Sequence, residues 1–285
     1  MTDALDPRLN ALRPDLADTR LRARVAAERF VAGEPARIGS GLADLRRAPS
    51  ADAALDAQLW HGEAVRCFER REGWAWIQAE QDGYVGYTPA AGLVAASPVP
   101  PTHRVRQPMT FRFPEPSIKA PPSDRLPMGA LLRVTSDEGD FLTLADGGYV
   151  FARHTGPVDR VERDWTATAL RFLGTPYLWG GRSWLGIDCS GLAQTALLLA
   201  GCRPLRDSDM LRDAEDLGPA LAPDSPRRRG DLLFSPGHVV MALDAEDIVH
   251  ANAFHLATVR EPFGAFVARL AARDEQVTSL RRPAL

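Results

Sequence analysis

Cysteine is scarce in this chain: three of 285 residues, Cys67, Cys189 and Cys202, at irregular spacing and with no CxxC pair. An odd, scattered set of thiols excludes a disulfide ladder and a zinc knuckle, and it fits a reducing compartment with at most one working thiol. Long apolar runs are also missing. The greasiest segment, around Leu192 to Ala200, is long enough for a buried helix and too short to cross a bilayer. The N-terminus reads MTDALDPRLNALRPDLADTR, with Asp3, Asp6 and Pro7 where a secretory signal needs a basic start and an unbroken apolar stretch. The expected address is therefore the cytoplasm, with export by an unseen signal as the alternative. Neither sign of charge dominates. With 34 Lys and Arg against 37 Asp and Glu, the net charge is -3, which leaves no broad basic surface for nucleic acid or an anionic membrane. Oligomeric state leaves no trace in the composition.

What is present falls into four stretches. Residues 1–35 scatter Leu, Val and Phe among Arg and Asp and read as an arm or short helix lying on something larger. From 36 to 96, short alternating runs (Ala64 to Phe68, Trp74 to Ile77, Tyr84 to Tyr87) are broken by Glu72-Gly73 and Asp82-Gly83, which predicts a β-meander with tight hairpins. The pattern returns over 101–157. Matching Gly62 to Gly129, Glu72 to Glu138 and Tyr84 to Tyr149 gives offsets of 67, 66 and 65, so one small barrel is expected twice. Proline-rich Ser97 to Pro101 links the copies, and Pro114 to Pro122 predicts a long surface loop inside the second.

Beyond Pro157 the texture changes. Apolar residues at helical spacing predict a helix over 161–173, ended by Gly174-Thr175-Pro176. A glycine-rich loop, Tyr177 to Arg182, then leads to Asp188-Cys189-Ser190-Gly191 and an apolar helix to about Ala200. Strands follow at Asp231 to Phe234, His238 to Leu243, Ile248 to His250 and Ala257 to Val259. A thiol-bearing helix before an antiparallel sheet that carries histidines is the layout of papain-like α+β hydrolases, so residues 161–285 are expected to fold that way.

Cys189 stands at a helix start, where backbone N–H groups and the helix dipole favour an anion, so its thiol is expected to ionise more readily than a free one. A buried core cysteine is the commoner fate of a lone thiol, and Cys67 and Cys202 fit it. Thiolate attack on an amide needs a group to protonate the leaving amine, and a third to orient that group. His238, after the turn Ser235-Pro236-Gly237, suits the first role. His250, twelve residues on in an adjacent strand, suits the second.

Taken together, Tyr177-x-Trp179-Gly180-Gly181, Asp188-Cys189-Ser190-Gly191, Arg229-Gly230-Asp231-Leu232, Gly237-His238-Val239 and His250-Ala251 resemble the NlpC family of peptidoglycan peptidases, over about Val161 to the end. The sixty-residue β repeats resemble the bacterial SH3-like modules that accompany such domains. The resemblance implies Cys189 as nucleophile, His238 as base and His250 as its orienter, with the Tyr177 hydroxyl helping to stabilise the oxyanion. It implies neither metal nor organic cofactor. A subgroup with two such modules cleaves γ-D-glutamyl-diamino acid bonds in murein peptides that have a free N-terminal L-Ala, and recycles stem peptides. By that likeness Glu63, Tyr84 and Asp188 would receive the free ammonium, while Trp179, Ser190 and Ser208 would line the peptide site. Leu211 departs from the family pattern, which has a glutamine there. Two alternatives stay open: a thiol amidase or acyltransferase on another substrate, and a non-catalytic wall-binding protein.

Overall fold

Alternation of apolar and polar residues dictates the first half of the chain. A computed structural model, describing residues 5–137 and 139–283, divides into two units, Met1–Val158 and Asp159–Leu285. In the first unit seven strands form one sheet, in the order Leu55–Trp60, Leu42–Arg46, Val85–Pro89, Trp74–Ala79, Ala64–Arg71, Glu34–Ile38 and Leu93–Ala95. Residues two apart, such as Ala75, Ile77 and Ala79, are buried together, as the pleat requires. Glu72 and Gly73, at φ 51 and 82, form the tight turn that pairs Arg71 with Trp74; two positive φ values are what a type I′ hairpin demands.

The expected arm is more than a strap. Leu16–Asp18 pairs in parallel with Arg29–Val31, and Ala11 and Leu16 pack against Phe68 and Trp76. The sheet takes its first strand from Glu34, two residues ahead of the expected start.

The second copy is built differently from the first. Its strands divide between a five-stranded sheet (Met109–Phe113, Asp124–Pro127, Val134–Ser136, Phe141–Leu144, Tyr149–Phe151) and a three-stranded one (His103–Val105, Leu131–Leu132, Thr155–Pro157). The proline-rich stretch forms the connection between Met109–Phe113 and Asp124–Pro127. Glu138, one of the repeat markers, lies outside the described residues. Gly62 and Gly129, another matched pair, both have positive φ and pack reciprocally. A Cβ on Gly62 would meet the Leu131 carbonyl at 2.4 Å, and one on Gly129 the Trp60 ring at 2.2 Å. Only glycine fits either place.

In the second unit, α1 (Trp165–Leu170) is shorter than expected, because Asp164 caps it by accepting the Ala167 N–H and Val161 is left exposed outside it. Helix α2 (Cys189–Leu199) has all eleven residues buried, so its apolar composition is accounted for by core packing rather than a membrane. Each fully buried leucine in it contributes roughly 1.5–3 kcal/mol relative to exposure. No helix among the described residues is long and apolar enough to cross a membrane. After α3 (Ser208–Asp213) comes an antiparallel sheet in the order Ala220–Leu221, Ser279–Arg281, Leu232–Ser235, His238–Ala242, Asp247–Asn252 and Ala257–Pro262. Helix α4 (Phe263–Ala271) packs Phe266 and Leu270 onto Leu233, Val240, Ala242 and Ile248. Arg229-Gly230-Asp231-Leu232 serves this scaffold. Asp231, fully buried, holds Arg282 at 2.7 Å, and Arg229 reaches the Asp164 cap at 2.8 Å.

Candidate active site

Asp188 starts the site. Its carboxylate N-caps α2 through the Gly191 N–H at 2.6 Å and accepts the Gly180 N–H at 2.8 Å, which ties the glycine-rich loop to the helix tip. Arg206, 1% exposed, donates to both carboxylate oxygens at 3.0 and 2.8 Å and to the Ser190 hydroxyl at 2.8 Å. Four N–H donors take up the roughly four lone-pair directions a carboxylate offers. Asp188 and Ser190, expected at the substrate site, thus also bond within the fold, where they anchor the helix that carries Cys189. Ser208 opens α3 two residues after Arg206, half-buried, and makes no hydrogen bond to a catalytic side chain among the described residues. Leu211 is fully buried in α3, where an apolar side chain belongs. Trp179 is 65% exposed on the loop before the helix. Glu63 and Tyr84 belong to the first unit. Glu63 is buried and accepts the Trp60 N–H at 2.9 Å; Tyr84 is buried behind a turn closed by Asp82.

Cys189, the first residue of α2, is buried, with its thiol against the Val239 N–H and its own helix start at Ser190. Burial, reinforced by the Asp188 charge, pushes the thiol up to about 12 despite those N–H groups and Arg206. The sequence expectation of a readily ionised thiol is therefore reversed, because desolvation outweighs the helix tip. Burial raises Cys67 and Cys202 too, so position and not acidity distinguishes Cys189.

His238 stands at the head of the strand whose first peptide meets the thiol. The turn Pro236-Gly237, with Gly237 at φ 65, pairs Ser235 with His238 and sets that strand end. The next strand pairs Met241 with Val249 and Ala242 with Ile248, a register that sets His250 diagonally across from His238 on the same face. Their rings meet: His238 Nε2 and His250 Nδ1 are 2.8 Å apart. Burial, then the nearby His250 and Arg269, lower His238 to about 3, so it rests as a neutral base. No hydrogen bond joins the thiol to His238 among the described residues. Tyr177 lines the cleft that holds His238 and His250, and burial, with Cys189 and Asp188 nearby, raises its hydroxyl, which stays a neutral donor.

Two residues of this site went unread in the sequence. Glu261, buried on strand Ala257–Pro262, lies 2.7 Å from His250 Nε2 and is held by Arg269 of α4, with one contact at 2.7 Å. Burial alone would raise this carboxyl, but the hydrogen bonds from His250 and Arg269 bring it to about 2. An ionised Glu261 is acceptor-only and, at 2.7 Å, outweighs the Asn252 Nδ2 amide at 3.0 Å from the same nitrogen, so His250 Nε2 carries the proton and Nδ1 is a lone pair. His238 must then donate from Nε2, leaving Nδ1 as its basic nitrogen. One buried carboxylate thus selects the tautomer of both rings. The register would have pointed to it: His250 pairs with Val259, which puts Glu261 one further diagonal step along the same face.

Comparison with known proteins places the chain in a family. The NlpC/P60 family profile matches residues 174–272, and that of the bacterial dipeptidyl-peptidase Sh3 domain matches 45–93. Dipeptidyl-peptidase 6 of Lysinibacillus sphaericus is 31% identical over 234 residues, 74% of this chain and 85% of that protein. The chain belongs to the NlpC/P60 family. It carries a bacterial SH3 domain ahead of the family's papain-like domain, and its class is the hydrolases, as a cysteine peptidase. Gamma-D-glutamyl-L-lysine dipeptidyl-peptidase of Bacillus subtilis is 27% identical, over 64% of each chain. Among solved structures, an NlpC/P60 family protein from Bacillus cereus ATCC 10987 superposes with a TM-score of 0.75 at 19% identity, covering 88% of this chain and 99% of that one; at such identity the likeness is one of fold.

Proposed function

We propose that this NlpC/P60 peptidase hydrolyses the γ-D-glutamyl-diamino acid bond of peptidoglycan stem peptides with a free N-terminal L-Ala, in the recycling of wall peptides. One observation carries the chemistry: a thiol at a helix tip beside a neutral imidazole whose tautomer is set by a chain ending in a buried carboxylate. The substrate is supported by the relatives named for γ-D-glutamyl-L-lysine.

Because thiol and imidazole are both neutral at rest, attack and proton transfer go together. Cys189 Sγ bonds to the γ-glutamyl carbonyl carbon as its proton passes to His238 Nδ1. The tetrahedral oxyanion faces the α2 N–H groups and the Tyr177 hydroxyl. His238 returns the proton to the departing amine, and water then hydrolyses the thioester with His238 again as base.

The test compares L-Ala-γ-D-Glu-diaminopimelate with its N-acetylated form. Release of the diamino acid from the first and at least about tenfold slower release from the second is expected, since an ammonium that loses charge-assisted hydrogen bonds gives up on the order of 1.5–3 kcal/mol. Equal turnover of both would remove the requirement for a free N-terminus, and turnover of neither would remove the substrate.

A further inference from the structure

Protonation by His238 sends the amine away on the imidazole side, and there the second unit holds a cleft of about 550 Å³. That is within the range of small-ligand sites. Its wall beyond His238 includes Asn252, Phe254, Arg269, Arg273 and Glu275. The charged groups differ in what they already hold. Arg269 is committed, paired with Glu261 and lying 4.6 Å over the Phe254 ring. Arg273 and Glu275 make no ion pair and no side-chain hydrogen bond among the described residues, although both line the cleft. Their backbone is fixed nonetheless. The N–H groups of Arg273 and Glu275 both return to the Leu270 carbonyl, at 2.8 and 3.0 Å, around Asp274 at φ 54. This is a left-handed helix stop, which holds the two side chains on one tight turn at the end of α4.

A free guanidinium and a free carboxylate on one fixed turn, in a cleft that opens at the general base, complement a ligand with both charges. We propose that this cleft is the leaving-group subsite, and that Arg273 and Glu275 select a leaving residue with a free carboxylate and a second amine. The carboxylate pairs with Arg273, whose planar fork suits it, and the side-chain ammonium pairs with Glu275. The inference rests on the hydrolase reading above and adds the side of the site on which the diamino acid is chosen. A leaving residue extended by a further amino acid would move its carboxylate away from Arg273, so the subsite favours cleavage at the end of a peptide.

Four substrates with a common L-Ala-γ-D-Glu acyl part test it. Their leaving groups are L-lysine, norleucine (no second amine), 1,5-diaminopentane (no carboxylate) and p-nitroaniline (neither). For the wild-type protein kcat/KM is expected to fall about 10- to 100-fold on removing either charge, the range of one charged hydrogen-bond pair. Arg273→Gln should make lysine and diaminopentane equivalent. Glu275→Gln should make lysine and norleucine equivalent. Both variants should cleave the anilide within about twofold of wild type, which also reports that they are folded. Wild-type turnover of all four without discrimination would overturn the subsite and leave the peptidase reading intact. So would variants that discriminate as the wild type does. If none of the four, the anilide included, is cleaved, the peptidase reading falls and the subsite with it.

Discussion

Glu261→Gln is the smallest change that tests the chain of hydrogen bonds behind the nucleophile. It preserves shape and removes a charge that sits 2.7 Å from His250 Nε2. A glutamine amide can donate where the carboxylate could only accept, so His250 Nε2 can become the acceptor and Nδ1 the proton carrier. His238 Nε2 must then accept and its proton moves to Nδ1, the nitrogen needed to take the proton from Cys189. The base is lost through the wrong tautomer, with every ring in place. Loss of the equivalent orienting carboxylate in serine hydrolases lowers turnover on the order of 10⁴-fold, and two rings in series here set an expected fall of about 10²- to 10⁴-fold in kcat with KM little changed. The stability effect should be small, about 1 kcal/mol, because Arg269 keeps solvent access when its partner is neutralised. Steady-state kinetics on the γ-D-glutamyl substrate, imidazole ¹⁵N shifts for the tautomers and urea unfolding measure the three. Glu261→Asp, which restores a charge, should recover part of the activity. A folded Glu261→Gln protein with kcat within about threefold of wild type would refute the reasoning.

Asp188→Ala should destabilise the second unit by about 3–5 kcal/mol in urea unfolding, because it strips a helix cap and leaves the buried Arg206 guanidinium without its carboxylate. Arg206→Met in the same chain should restore much of the loss, and a change below about 1 kcal/mol for Asp188→Ala alone would show that the pair is no anchor. Acid should destabilise the fold before the carboxylates titrate. His238 falls from its ordinary 6.5 to about 3 on folding, so the unfolded chain binds the extra proton. Its contribution is complete above about pH 6.5 and is lost as pH falls toward 3, about 2–3 kcal/mol by pH 4.5 at 1.36 kcal/mol per unit. Unfolding free energies at pH 7 and 4.5 should differ less in His238→Gln, and an identical difference in both proteins would assign the acid loss to other groups.

Local chemistry was legible in the sequence, and long-range burial was not. Asp188 before Cys189, and Pro236-Gly237 before His238, act on their immediate neighbours, so a helix start and a strand head could be read from a few residues. The spacing of the two histidines is likewise a hairpin property. Glu261 is different. In the run Ala257–Pro262 it stands beside exposed Arg260 and reads as one more surface charge; only the pairing of that strand with Asp247–Asn252 turns it inward onto His250. The split of the second β copy into two sheets was hidden for the same reason, since hairpin turns recur in sequence whereas partner strands are chosen in space.

The thiol is the most instructive reversal. A helix tip and two N–H groups lower its pKa, and a sequence reveals those; full enclosure raises it by more, and only coordinates reveal that. The consequence reaches the mechanism. A resting ion pair would place a thiolate near Asp188 but also Arg206, and an imidazolium near Arg269 but also Glu261, so burial of both groups is what weighs most against it. Neutral partners avoid that desolvation. Proton transfer then creates the imidazolium at the moment of attack, and the one fixed negative charge that can stabilise it through His250 is Glu261. The carboxylate that the sequence reading overlooked is therefore what makes a neutral resting pair workable as a catalyst.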